Sequence, residues 1–147
     1  MPDELTQITD FTQLFVNDIA LIDTRAPIEF EQGAFPFAQN LPLMSDSERE
    51  LVGACYKNKG QEKAISLGHK LVYGKVKQTR LDTWLGFIKN NPNGALYCFR
   101  GGLRSQITQE WIYEASGVNY PRIKGGYKAL RRFLIDETEV FLFLDFF

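Results

Sequence analysis

The sequence predicts an α/β domain, a mainly parallel sheet flanked by helices on both faces. Short apolar runs of strand length, such as Ile19 to Ile22 and Ala95 to Tyr97, alternate with longer stretches whose apolar residues recur at helical spacing. Breaker clusters, Asn90-Asn91-Pro92-Asn93-Gly94 and Gly125-Gly126, separate the two kinds of segment. With 147 residues, 44% of them hydrophobic, the chain is long enough to bury one substantial core.

Thr9 or Asp10 can cap a first helix that runs through Leu14 and Phe15 to about Asn17. The strand over 19–22 closes at Asp23-Thr24-Arg25, where Asp23 and Arg25 are expected to tie strand end to loop rather than to catalyse. A short strand is expected over 39–43. Ser47 and Glu50 are spaced as a capping box for the helix that follows, which carries Cys55 near its end. Ala64, Ile65, Gly68, Leu71 and Val72, then Leu81, Trp84, Leu85 and Ile88, make residues 60–89 mostly helical, with Gly68 and Gly74 as weak points. The one histidine, His69, is expected to be an ordinary helical residue rather than a general base. Beyond Gly117, residues 118–123 read as a strand that Pro121 suits to a sheet edge. Tyr127, Leu130, Phe133 and Leu134 then form the apolar face of a last helix.

The chemistry concentrates in Cys98-Phe99-Arg100-Gly101-Gly102-Leu103-Arg104-Ser105. Cys98 ends the strand over 95–97, and the spacing of Leu103, Ile107, Trp111 and Ala115 predicts a helix with Gly117 as its stop. The loop between them opens onto a helix N-terminus, whose free N–H groups favour an anion. Gly101 and Gly102 allow successive amides to curl inward, and Arg100 and Arg104 add positive charge. Such surroundings suit a nucleophilic thiolate at Cys98. The alternative, a small buried hydrophobe at a strand end, fits two glycines and two arginines less well.

Net charge is −1, but it is unevenly placed. Residues 1–50 hold ten acids against Arg25 and Arg49, whereas residues 51–135 hold fifteen bases against Glu62, Asp82, Glu110 and Glu114. A basic middle of this kind suits a polyanion such as RNA, with Lys124, Lys128, Arg131 and Arg132 as candidate contacts. The acidic N-terminus and the lack of a long apolar span predict a cytoplasmic protein without membrane contact. Cys55 and Cys98 are expected as free thiols, Cys55 chiefly in packing and only secondarily as a resolving thiol. Neither has ligand-type neighbours at metal-binding spacing, so no metal is expected.

Residues 98–105 resemble the active-site loop of rhodanese-like domains, and the variant found here is similar to that of bacterial tRNA 2-selenouridine synthases. Leu21-Ile22-Asp23-Thr24-Arg25 with Glu29, Phe30 and Gly33 resembles the opening rhodanese signature, although its usual Gly-His-Ile-Pro-Gly-Ala continuation is here Gly33-Ala34-Phe35-Pro36-Phe37-Ala38. Residues 57–64 and the run Gly125-Gly126-Tyr127-Lys128-Ala129-Leu130-Arg131-Arg132 are again similar to the selenouridine family. Five residues separate Cys98 from Arg104, the wider spacing of dual-specificity phosphatases, which would admit a tetrahedral phosphate-like group.

The resemblance implies replacement of sulfur by selenium in the wobble 2-thiouridine of certain tRNAs. It implies no bound cofactor, selenophosphate as donor substrate, a geranyl intermediate made from geranyl diphosphate, and tRNA as partner, with a sulfur or selenium donor protein as a further candidate. Cys98 would carry or attack the chalcogen, and residues 99–105 would hold the anion. The family's second half is a P-loop domain, and no Gly-x-x-x-x-Gly-Lys-Ser/Thr motif occurs here. Residues 1–138 are therefore expected as a rhodanese-like domain. Residues 139–147 are expected as an apolar tail, the first strand of a missing domain, open to self-association and leaving the chain incomplete for the full reaction. The alternatives are a stand-alone sulfurtransferase working through a Cys98 persulfide, a phosphatase, for which no proton-donating acid is evident, and a tRNA-binding remnant without chemistry.

Overall fold

The computed structural model describes residues 4–145, with side chains as far as Thr138. Five short strands, Gln7–Ile8 (β1), Leu21–Asp23 (β2), Ala38–Asn40 (β3), Ala95–Tyr97 (β4) and Arg122–Ile123 (β5), form one sheet in the order β1-β5-β4-β2-β3. Every pairing is parallel. Parallel neighbours need crossovers, and helices supply them: Thr12–Val16 (α1), Pro27–Glu31 (α2), Asp46–Lys59 (α3), Gln61–Leu71 (α4), Gly74–Asn90 (α5) and Leu103–Ser116 (α6); a last helix, Gly126–Asp145 (α7), follows β5.

Both faces of the sheet are covered, and the two-residue period of the strands divides the side chains between two cores. Ile22 and Leu96 point into one, with Trp84 of α5 and Trp111 and Ile112 of α6. Leu21, Ala95, Tyr97 and Ile123 point into the other, with Leu14 of α1 and Leu130 of α7. Trp84 is fully buried and its indole N–H donates to the Leu41 carbonyl at 2.9 Å, so the polar edge of a large apolar side chain is satisfied.

Three expectations are corrected. The capping box of α3 is Ser45 with Glu48, not Ser47 with Glu50: the Glu48 amide donates to the Ser45 hydroxyl at 3.2 Å, and Glu48 Oε1 accepts from the Ser45 amide at 2.9 Å. Arg80 also binds Glu48, at 2.7 Å. Burial works against the Glu48 carboxylate, but Arg80 and the cap outweigh it and hold the group below its usual range. Second, β5 is not an edge strand. The Arg122 amide donates to Thr6 and that of Lys124 to Ile8, so β1 covers that side, and Pro121 lies just outside the paired residues. Third, residues 140–145, expected as a strand, continue α7 as helix; Phe146 and Phe147 lie outside the described residues.

Candidate active-site loop

The chain leaves β2 toward β3 on one side and β4 toward β5 on the other, so the C-terminal ends of β2 and β4 flank the point where the winding reverses. Crevices at such points are where open parallel sheets bind ligands. Cys98 follows the last residue of β4, the middle strand, and the loop ends at Gly102, which precedes α6.

The Cys98 side chain is 2% exposed, yet its polar neighbours belong to its own turn. Sγ lies 3.2 Å from the Ser105 hydroxyl and 4.0 Å from the Gly102 carbonyl, and the Ser105 hydroxyl in turn donates to Gly102. The sulfur is thus sheltered from solvent inside the turn, with two hydrogen-bonding groups of the loop beside it.

The start of α7 clamps the loop from outside. The Tyr127 amide donates to the Cys98 carbonyl at 2.8 Å, and the Lys128 amide to the Phe99 carbonyl at 3.1 Å. These amides come from the first turn of α7, where intrahelical acceptors are lacking. Contact this close requires glycine: a Cβ on Gly126 would stand 2.3 Å from the Cys98 carbonyl oxygen, and one on Gly101 2.6 Å from the Gly125 nitrogen. Both residues also have positive φ, +61° and +72°.

Beside the clamp, Asp23 and Arg25 serve structure, as expected. Arg25 is buried, pairs with Asp23 at 2.7 Å, reaches the Gly33 carbonyl at 2.7 Å and lies 4.1 Å from the Tyr127 ring centre. Burial opposes its charge, but Asp23 outweighs burial and holds the guanidinium above its ordinary value. The Tyr97 hydroxyl donates to Asp23 at 2.6 Å, and burial followed by the Asp23 charge pushes its ionisation upward.

Arg104, expected to offer its charge to an anion, is bonded through both terminal nitrogens to Glu29 of α2. Arg49 reaches the same carboxylate at 3.0 Å. Burial disfavours the Glu29 charge; Arg104 first, then the Ala26 amide and Arg49, overcome that and hold it below the usual carboxylate range.

No family model matches the chain. The tRNA 2-selenouridine synthases of Pseudomonas putida (strain GB-1) and Pseudomonas fluorescens (strain Pf0-1) are 59% and 60% identical to it over 131 and 132 residues, covering 89% and 90% of this chain. That of Azotobacter vinelandii is 57% identical over 129 residues. Over nearly all of its own length the chain is thus similar to one part of the tRNA 2-selenouridine synthases. It spans 35 to 36% of the length of these relatives. Among solved structures, the N-terminal domain of a protein described as ATP/GTP binding, from Clostridium difficile 630, superimposes with a TM-score of 0.77 at 32% identity. The match covers 88% of this chain and 98% of that one.

Other residues of the 98–105 segment lie around the loop. Phe99 is half-buried and stacks on Tyr127, with ring centres 6.1 Å apart and planes 16° apart, and the Arg100 and Lys128 cations lie 5.7 and 5.8 Å from its centre. Lys124, Lys128, Arg131 and Arg132 are all exposed, and Arg132 pairs with Asp136 at 3.2 Å. Leu103 is 39% exposed and, with Arg104, Ile107 and Trp111, forms one wall of a cavity of about 320 Å³ whose other walls include Val52 and Gly53 of α3 and Ala64, Ile65 and Gly68 of α4. His69 lines this cavity, 6.1 Å from the Trp111 ring. Cys55 is half-buried, and both thiols are free. The roles of Glu29, Gly126 and the cavity were not read from the sequence, although Glu29 lies in the Asp23 to Gly33 segment that carries the rhodanese resemblance.

Among the described residues no helix is long and apolar enough to cross a membrane, and no three His, Cys, Asp or Glu side chains gather as metal ligands do.

Proposed function

We propose that this chain is a rhodanese-like domain that passes selenium or sulfur through Cys98 during conversion of wobble 2-thiouridine to 2-selenouridine in tRNA, with selenophosphate as donor. The observation that carries the reading is the seat of Cys98: a sulfur held inside a glycine turn at the carboxyl end of the middle strand, immediately before the N-terminus of a 14-residue helix. A thiolate there attacks the selenium of selenophosphate, an S–Se bond forming as the Se–P bond breaks and phosphite leaves with its electron pair, and the amides of the turn receive the anion as charge develops.

Two further features suit the family's chemistry. The exposed cations of Lys124, Lys128 and Arg131 lie beside the loop and along α7, where they would meet RNA phosphates, and the half-buried Phe99 offers an aromatic ring next to the nucleophile. The cavity beside α6 is mostly apolar, at the lower end of the size range of small-molecule sites, and suits the geranyl chain of a geranyl diphosphate. Because the chain spans 35% of its relatives' length, we assign it the chalcogen, RNA and geranyl contacts and not the complete reaction.

Mass spectrometry of Cys98 tests the reading. Exposure to selenophosphate is expected to add one selenium atom to the peptide containing Cys98, with release of phosphite, and Cys98→Ser to abolish the addition while Cys55→Ser leaves it. Addition from thiosulfate, with release of sulfite, and none from selenophosphate would favour a stand-alone sulfurtransferase instead. No addition from either donor would overturn both.

A further inference from the structure

Among the described residues, the arginines that are not exposed are Arg25, Arg80, Arg104 and Arg122, and the first three each close on a carboxylate: Asp23, Glu48 and Glu29. Arg122 does not. Its Nη1 donates to the Gly101 carbonyl at 3.3 Å, and its Nε is buried with no hydrogen-bond partner among the described residues. A half-buried guanidinium without a counter-charge is costly unless something else supplies the negative charge. The group it does touch is the backbone in the middle of the Cys98 turn.

Gly101 and Gly102 are joined by a trans peptide, in which carbonyl and N–H point in opposite directions. Holding the Gly101 carbonyl against Arg122 therefore turns the Gly102 N–H away from Arg122. A charge on the acceptor side also polarises that amide and strengthens it as a donor.

We propose that Arg122 is a positioning residue of the Cys98 loop: it fixes and polarises the Gly101–Gly102 peptide for an anion, and the anion received by the loop supplies the charge that Arg122 lacks. Arg104 is already bonded through both terminal nitrogens to Glu29, so those donors are engaged there. This proposal rests on the reading of the loop as an anion cradle. It adds that the effective cation comes from β5, outside the motif.

The test compares alkylation of Cys98 by anionic iodoacetate and neutral iodoacetamide, read by mass spectrometry of the Cys98 peptide, with and without inorganic phosphate. In the unchanged chain phosphate is expected to slow alkylation at Cys98 and not at Cys55. Arg122→Gln is expected to lower the iodoacetate to iodoacetamide rate ratio and to weaken phosphate protection, each by about tenfold, the scale of one charge-assisted hydrogen bond. Arg122→Lys is expected to keep most of both. A Gln variant that changes both reagents equally, or a Lys variant as impaired in the ratio as the Gln variant, overturns the role of the charge. Should the Gln variant fail to fold, the ratio in the Lys variant decides alone: retention supports the proposal and a tenfold loss overturns it. If phosphate gives no protection even in the unchanged chain, the cradle reading itself falls and this proposal with it.

Discussion

Arg104 and Glu29, 75 positions apart in the sequence, are joined by two hydrogen bonds that tie the first turn of α6 to α2. The loop that bears the nucleophile is thereby anchored at its far end by an ion pair, while the clamp from α7 holds its near end.

Replacing Glu29 by Gln leaves Arg104 and Arg49 without their acid, while the side-chain oxygen can still accept from the Ala26 amide at the start of α2. Glu29→Gln is expected to cost about 2–4 kcal/mol at neutral pH, measured by urea unfolding. Because the folded protein holds Glu29 below the usual carboxylate range, its contribution is complete above the unfolded value and is lost as pH falls through the folded one. The difference between the unchanged chain and the Gln variant should therefore shrink on acidification below that usual range. A gap that stays constant to the acid limit would show that the charge is not what the site uses.

Gly126→Ala places a methyl group 2.3 Å from the Cys98 carbonyl oxygen, on a backbone with φ of +61°. Destabilisation of about 1–3 kcal/mol is expected from the strain, and slower chalcogen uptake at Cys98 because the clamp must move. Gly53→Ala, where nothing lies within 4 Å of the added carbon, is the control and should be neutral or slightly stabilising in its helix.

Filling the cavity separates its role from that of the loop. Gly53 lines it and has open space where a side chain would start, so Gly53→Leu is expected to leave chalcogen uptake intact and to weaken binding of geranyl diphosphate at least tenfold, read by calorimetry. Unchanged binding would move the geranyl site elsewhere.

For RNA, Lys128→Ala and Arg131→Ala are each expected to reduce the slope of log affinity against log salt by about 0.7 to 0.9, the value of one phosphate contact. Phe99→Leu is expected to weaken binding of a thiolated anticodon hairpin while leaving that slope unchanged, since stacking releases no counterions. A salt slope untouched by either basic substitution would remove α7 from the interface.

The strand, turn and helix around Cys98 were legible in the sequence because each leaves a local mark: an apolar run, paired glycines, a 3.6-residue period. What escaped has no local mark. β1 is two residues long, and its place is set by backbone bonds to a strand more than a hundred residues away. Nothing near Glu29 announces Arg104, and nothing near Gly101 announces Arg122, because the crossovers of a parallel sheet bring distant segments together. The apolar run after Glu139 read as a strand because the resemblance puts the first strand of a further domain there, yet extending a helix already begun costs no new nucleation, and α7 continues through it to Asp145.

Helix α7 is 20 residues long, a stiff rod of about 30 Å whose first turn is seated on the cysteine loop. A tug at its other end arrives, through the Tyr127 and Lys128 amides, at the carbonyls of Cys98 and Phe99. A shift of α7 along its own axis would therefore be felt first in the turn that bears the nucleophile.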